Sequence, residues 1–145
     1  MNIRIPDGQQ PSRYFATLDR LRAQRDTTPF DTARRTTGEG REYWSARELM
    51  VLLGYDSWRR FADAIGRARI AAHNSGRDVH VHFAGAVKVA ASGPNAEDFH
   101  LSRYACYLVA MNGDPRKEQI AIAQTYFAIR TREAEVADAA ATPAI

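Results

Sequence analysis

The chain has 145 residues, of which 45% are hydrophobic and 26% charged, with a net charge of +3 and one cysteine. That length forms one domain able to bury a core without staples, and a lone cysteine excludes a disulfide framework and fits a reducing compartment. No run of 18 apolar residues occurs, and the opening MNIRIPDGQQPS lacks a signal peptide's apolar core, so a soluble cytoplasmic protein is expected.

In chain order, residues 1–11 are expected to be disordered. Over residues 12–24, Tyr14, Leu18 and Leu21 make one apolar face with Phe15 flanking it. The pattern predicts an amphipathic helix, suited to docking on the core or a partner, followed by a linker to residue 28. Residues 30–35 and 41–44 flank the glycine-containing segment TTGEG and read as a β-hairpin.

Residues 43–76 carry the most information. Ser45 and Glu48 make an S-x-x-E capping box that starts a helix at Ala46. Leu49, Leu52 and Leu53 supply its apolar stripe, and Gly54 permits the left-handed turn that ends it. Asp56 or Ser57 caps a second helix, whose Trp58, Phe61, Ala62, Ile65, Ala68 and Ala72 follow helical spacing. Two helices around a short glycine turn outline a helix-turn-helix. Spacing at 100° per residue sets Arg59, Arg60, Asp63 and Arg67 on the opposite face. In a helix-turn-helix the start of the second helix enters the major groove, where arginine binds guanine or phosphate. The candidate DNA-binding residues are therefore Ser57, Arg59, Arg60 and Arg67, with Arg47 and Tyr55 flanking. The alternative is a solvated face on a core helix.

Charge distribution is compatible with a polyanion contact on one face. Residues 34–77 hold nine arginines against five acids, while residues 78–145 hold six basic against eight acidic residues. Arginine count alone is weak evidence, because eighteen arginines against two lysines also reflects genomic composition.

Alternation of Val79, Val81 and Phe83 with His80 and His82 predicts a strand. Residues 86–90 fit a strand or a short helix, residues 92–95 a turn, and residues 98–100 a short extended return. From Leu101 a helix is expected, with Leu101, Tyr104, Ala105, Leu108 and Met111 on one face and Gly113 as its stop. Asp114 followed by Pro115 signals a restart, as N-cap and first helical residue. This last helix should run to about Val136, before a disordered tail over 137–145. It is apolar on two faces, with Ile120, Ala123 and Phe127 on one and Ile122, Tyr126 and Ile129 on the other. Such a helix is buried or sits in a dimer interface.

The fold class expected is helix-dominated α+β. It comprises a hairpin, a helix-turn-helix-like pair, a small second β element and two packed C-terminal helices, with the domain spanning residues 29–136. His80, His82 and His100 lack the cysteine or carboxylate pattern of a zinc site, so no metal is expected. Cys106 reads as a small buried thiol rather than a nucleophile. Arg69 falls near the apolar stripe and is expected in an ion pair, as is Arg103. Tyr104, Tyr107 and Tyr126 read as core residues, with a stacking platform for bases as the alternative. No phosphate loop, GxSxG elbow or HExxH motif occurs, so neither enzymatic activity nor a cofactor is expected.

Three runs carry a family resemblance: EYWSARELMVLLGYDSWRRFADAI, the HF at His82 and Phe83 with Lys88 following, and FHLSRYACYLVAMNGDPRKEQIAIAQTYFAIRTREAE. Together they resemble the N-terminal domain of the DNA-damage-inducible protein D family, within the broader BRO N-terminal domains of phage antirepressors. The resemblance covers roughly residues 29–135. It implies a cytoplasmic, nucleoid-associated bacterial or bacteriophage regulator, of the SOS damage response or of phage induction. Its implied partners are DNA, single- or double-stranded, and RecA or a repressor protein. A homodimer fits either partner, since helix-turn-helix proteins often pair on two half-sites. Where the family carries a longer basic loop, this chain has SGPNAEDFHLSR without the loop arginine. Damage-inducible relatives also continue well past the TREAE run, so a function housed in that later part is not expected here.

Overall fold

A computed structural model describes residues 28–141. The helix expected over 12–24 and the disorder expected over 1–11 lie outside the described residues. The chain divides into two compact units, residues 1–32 and 33–145. At the end of the first unit, Thr28 Oγ1 donates to the Asp31 carboxylate at 2.8 Å and accepts from its backbone N–H at 3.1 Å. This reciprocal cap, with proline at the first helical position, starts helix α1 (Pro29–Ala33) where the first hairpin arm was expected. The hairpin is correspondingly shorter, pairing β1 (Arg35–Thr36) with β2 (Glu42–Ser45).

Helices α2 (Ala46–Leu52) and α3 (Trp58–Asn74) follow, then a helical turn α4 (Val79–His82). The strands β3 (Phe83–Lys88) and β4 (Ala96–Leu101) form a second hairpin, and α5 (Arg103–Met111) and α6 (Glu118–Ala141) complete the unit. The sheet is antiparallel in the order β1-β2-β4-β3. This is the helix-dominated α+β architecture expected, with two packed C-terminal helices. Trp44, Phe61, Phe127, Leu49, Leu53, Ile65, Leu101 and Ile120 form the fully buried centre. Trp44 on β2 meets Phe127 on α6 edge to face at 5.2 Å, joining sheet to helices.

Several local expectations are corrected. Residues 79–82 are helical rather than extended, because the Asp78 carboxylate accepts from the N–H groups of His80 and Val81. Residues 86–88 belong to β3, which resolves the strand-or-helix choice there. Leu101 ends β4 instead of starting a helix, and Ser102 caps α5 by accepting from Ala105 N–H at 3.1 Å. The buried face of α5 is consequently Ala105, Cys106, Val109 and Ala110, while Met111 is exposed. Burial, with the Glu42 charge adding to it, pushes the Cys106 thiol up, so it is not a thiolate. Asp114 and Pro115 form a turn rather than a helix start. Arg116 holds the Asp114 carboxyl down at about 2, and α6 begins at Glu118. It runs to Ala141, so residues 137–141 are helical and not a disordered tail. Ile120, Ala123 and Phe127 of α6 are buried, while Ile122 and Ile129 on the other face stay exposed.

Gly113 has a steric role beyond ending α5: a Cβ there would stand 2.8 Å from Ile120 Cγ2. Gly113→Ala should destabilise the fold by about 1–3 kcal/mol, read as a lower urea midpoint. Gly38→Ala, where nothing stands within 4 Å of the added carbon, should stay within about 0.5 kcal/mol of wild type. Equal midpoints for the two variants would refute the close-packing account.

His82 gives a pH prediction. Its Nδ1 lies 2.6 Å from Ser102 Oγ, and burial lowers its pKa below the ordinary 6.5, with the Arg77 charge adding to the effect. Below 6.5 the unfolded chain takes up this proton before the folded one, so the stability held above 6.5 is lost as pH falls. Urea midpoints across pH 5–8 should show that loss, and His82→Gln should flatten it. A His82→Gln profile parallel to wild type would remove this residue as the cause.

Candidate nucleic-acid interface

The α2–α3 pair is built by local chemistry at both ends. Ser45 Oγ accepts from Glu48 N–H at 3.5 Å and caps α2. The Glu48 carboxylate pairs with Arg35 on β1 instead of folding back onto the cap. At the far end Gly54 takes a φ of +78°, its N–H donating to Val51 O and Tyr55 N–H to Met50 O. Those two bonds are a Schellman stop, which only a residue tolerant of positive φ can make cheaply. Of the two caps foreseen for the second helix, Ser57 is the one used, its Oγ accepting from Arg60 N–H at 3.3 Å.

Helix α3 buries Phe61, Ala64, Ile65, Ala68 and Ala72, whereas Trp58 and Ala62 of the expected stripe are only half-buried. Its seventeen residues span about 25 Å. Arg59, Arg60, Asp63 and Arg67 all lie exposed on the opposite side, as the wheel predicts. Arg59 has no hydrogen-bond or ion-pair partner among the described residues. Arg60 lies 3.8 Å from Asp56, with both side chains mostly in solvent, a pair worth little. Arg67 Nε donates to Asn112 Oδ1 at 3.4 Å. These guanidinium groups are open to a polyanion.

The two flanking candidates are more engaged with the protein. Tyr55 is half-buried with its ring 5.0 Å from Phe61, and burial raises its hydroxyl pKa against the pull of Arg67. Arg47 lies with its guanidinium carbon 3.7 Å from the Trp58 ring centroid, and its Nε donates to the Glu97 carbonyl at 2.8 Å. It therefore ties the start of α3 to β4. Arg69 leans over Phe99 at 5.8 Å where an ion pair was expected, while Arg103 does pair with Glu42. The histidines are dispersed: His100 stacks on Tyr43 at 4.0 Å, His82 meets Ser102, and His80 is exposed.

Beneath this surface lies Asp98, the one buried charged residue among those described. Its carboxylate accepts from Ser45 Oγ at 2.8 Å, Arg47 N–H at 3.0 Å and Phe99 N–H at 2.8 Å. Sequence reading missed this residue, since nothing local to it signals a partner fifty residues away. It also missed the turn after α5. Asn112 there receives Arg67, and Gln119 at the start of α6 lies against Gly54.

The sequence pattern of the BRO family N-terminal domain matches residues 33–128 of this chain. The chain belongs to the BRO family. It is 47% identical over 114 residues to DNA damage-inducible protein D of Escherichia coli (strain K12), a match covering 76% of this chain and 42% of that relative. The chain thus spans less than half the length of the curated relative it matches. No solved structure matches it. The BRO match takes in both hairpins, α2, α3 and α5, so every candidate residue of the interface lies within the family's domain.

Asp98→Ala should cost about 1–3 kcal/mol, because it leaves the Arg47 N–H and the Ser45 hydroxyl without their buried acceptor. Chemical denaturation reads the loss directly. A variant as stable as wild type would mean that water replaces the carboxylate at no expense.

Proposed function

We propose that this BRO domain is a non-enzymatic DNA-binding regulator, of the damage-response or phage-antirepressor type. The observation that carries this reading is the solvent-facing row of α3, which starts after a glycine turn and whose Arg59, Arg60 and Arg67 outnumber the exposed Asp56 and Asp63 beside them. Ser57, Arg59, Arg60 and Arg67 form the contact surface. The Ser57 oxygen is committed to its cap as an acceptor, leaving its hydroxyl hydrogen to donate to a phosphate. Arg47 and Tyr55 hold the surface in shape from beneath.

Family membership supports a regulator, and the damage-inducible name of the relative gives the context. The clefts on either side of the Glu42–Arg103 pair, about 230 and 240 Å³, fall below the roughly 300–1,000 Å³ of small-molecule sites. No described helix is long and apolar enough to cross a membrane.

A second reading draws on α6. Ile122, Ile129 and Val136 recur every seven residues and are 48%, 45% and 51% exposed. Such a stripe suits protein docking, with RecA or a repressor as the partner that the resemblance implies.

Mobility-shift titration over a salt series separates the two. Arg59→Ala with Arg60→Ala should weaken duplex binding several-fold and flatten the log K against log salt slope by up to about 2. No binding to random duplex at low salt, with a protein partner recovered on wild type, would establish the docking reading instead.

A further inference from the structure

The two edges of the sheet are finished differently. One is β1, a strand of two exposed residues. The other is β3, which pairs with β4 over six residues in unbroken register, from Phe83 opposite Leu101 to Lys88 opposite Ala96. Folded proteins blunt such edges with proline, central charges, bulges or very short strands. β3 has no proline and no bulge, and its one charge, Lys88, stands at its last position.

The phase of the ladder decides which backbone groups this edge offers. Ser102 N–H donates to His82 O at 3.0 Å, immediately before the Phe83–Leu101 pair. Bonded and non-bonded pairs alternate in an antiparallel ladder. Ala84, Ala86 and Lys88 therefore turn their backbone groups toward β4, while Phe83, Gly85 and Val87 turn theirs outward. Phe83 N–H is already used inside α4, donating to Val79 O. No described strand takes the outward groups of Gly85 and Val87. The side chains of Phe83, Gly85 and Val87 share one side of the sheet. Phe83 is 2% exposed, but Val87 is 61% exposed and Val89, just past the strand, 78%. A Cβ added at Gly85 would meet nothing within 4 Å.

We propose that β3 pairs with β3 of a second copy of this chain, antiparallel about a two-fold axis at Ala86, so that two sheets become one. The strand is its own complement in this register. Gly85 of each copy forms a bonded pair with Val87 of the other, and the valine fills the open space beside the glycine. The two Val87 side chains become diagonal neighbours and cover one another. Charge selects the same register. Val87 lies opposite Glu97, and Gly85 opposite Phe99, over which Arg69 is held at 5.8 Å. With the axis at Ala86, each row across the joined sheets runs from Glu97 of one copy to the Arg69-covered Phe99 of the other. An axis at Gly85 would instead end one row on both Arg69 side chains, like charge against like. Lys88 meets Ala84 of the other copy and not a second lysine. The pairing also closes at two copies, because the edges left outside are the two-residue β1 strands. So short an edge belongs with the small, transient interfaces, below about 1,200 Å².

Sedimentation equilibrium of the full chain tests this, over dilution from about 1 mM to about 1 μM. The mass should rise from one chain to two and no further. Val87→Lys, which sets like charges together across the axis, should weaken the dimer about tenfold. Val87→Pro removes an outward N–H, spares the bonds to β4, and should abolish the dimer. Ala86→Cys should form an interchain disulfide under mild oxidation, since a non-bonded pair brings Cα atoms to about 4.5 Å. Gly38→Cys in the exposed turn between β1 and β2 should not, and the native Cys106 is buried. A chain that stays monomeric throughout overturns the pairing, as does Ala86→Cys crosslinking no faster than Gly38→Cys. A wild-type dimer that survives Val87→Lys but is lost in Ile129→Ser also overturns it, placing association on α6. Should Val87→Pro melt early, Val87→Lys and Ala86→Cys decide.

Discussion

A buried carboxylate with three donors organises this domain. Asp98 is 6% exposed, yet it sits at the point where β4, the end of β2 and the first turn of α2 meet. A charge so placed is tolerable only when its lone pairs are filled, and here two backbone N–H groups and a hydroxyl fill them. The same hydroxyl caps α2, so one hydrogen-bond chain runs from β4 through Ser45 into the helix. Once α2 starts at a fixed point, its Schellman stop at Gly54 fixes the departure of α3. Arg47, the second residue of α2, then ties α3 back to β4. The orientation of the arginine row relative to the hairpin follows from that closed circuit.

How much of this was readable in the sequence depends on how local each cause is. The α2 cap, the glycine stop and the α3 cap are decided within four residues, and all three stand where pattern reading puts them. The exposed placement of Arg59, Arg60 and Arg67 follows from helical period alone. Errors arose where a short polar side chain outbids an apolar pattern. Asp78 turns an alternating Val-His-Val-His run into a helical turn, and Thr28 with Asp31 does the same ahead of β1. The packed face of α5 differs from the periodic one because Leu101 belongs to β4 and not to the helix. The true cap is one residue later, and small side chains, not large ones, make the packed face. Asp98 and Arg47 act across fifty residues of sequence, beyond any periodicity argument.

Charge pairing holds two of the five acids in the same stretch, Glu42 and Glu48, away from the arginine row, while Asp63 stands exposed within it. Glu42 is taken by Arg34 and Arg103, and Glu48 by Arg35, all on the side of β1 and β2. Asp56 reaches Arg60 only at 3.8 Å in solvent. Acids and bases therefore neutralise one another around the sheet, and the surplus positive charge of residues 34–77 is left mainly on α3. On α6, Arg132 and Arg130 pair with glutamates three residues on, within their own helix. The electrostatic asymmetry seen in the sequence survives folding, but as a difference between α3 and α6 rather than between chain halves.

The two candidate surfaces also differ in their relation to the family's domain. The match over residues 33–128 contains the whole α2–α3 pair and the β3–β4 hairpin. It contains Ile122 but ends before Ile129 and Val136, so the apolar stripe of α6 crosses its boundary. An activity common to BRO domains has to be housed in elements that the domain includes. The Asp98 hydrogen bonds, the Gly54 turn and the arginine row meet that condition, whereas a docking surface on α6 is complete only with residues beyond it. A division of labour follows from the chemistry of each face. Under the proposed DNA-binding reading the cationic α3 face lies wholly within the family's domain, whereas the aliphatic α6 face is complete only where the helix continues past residue 128.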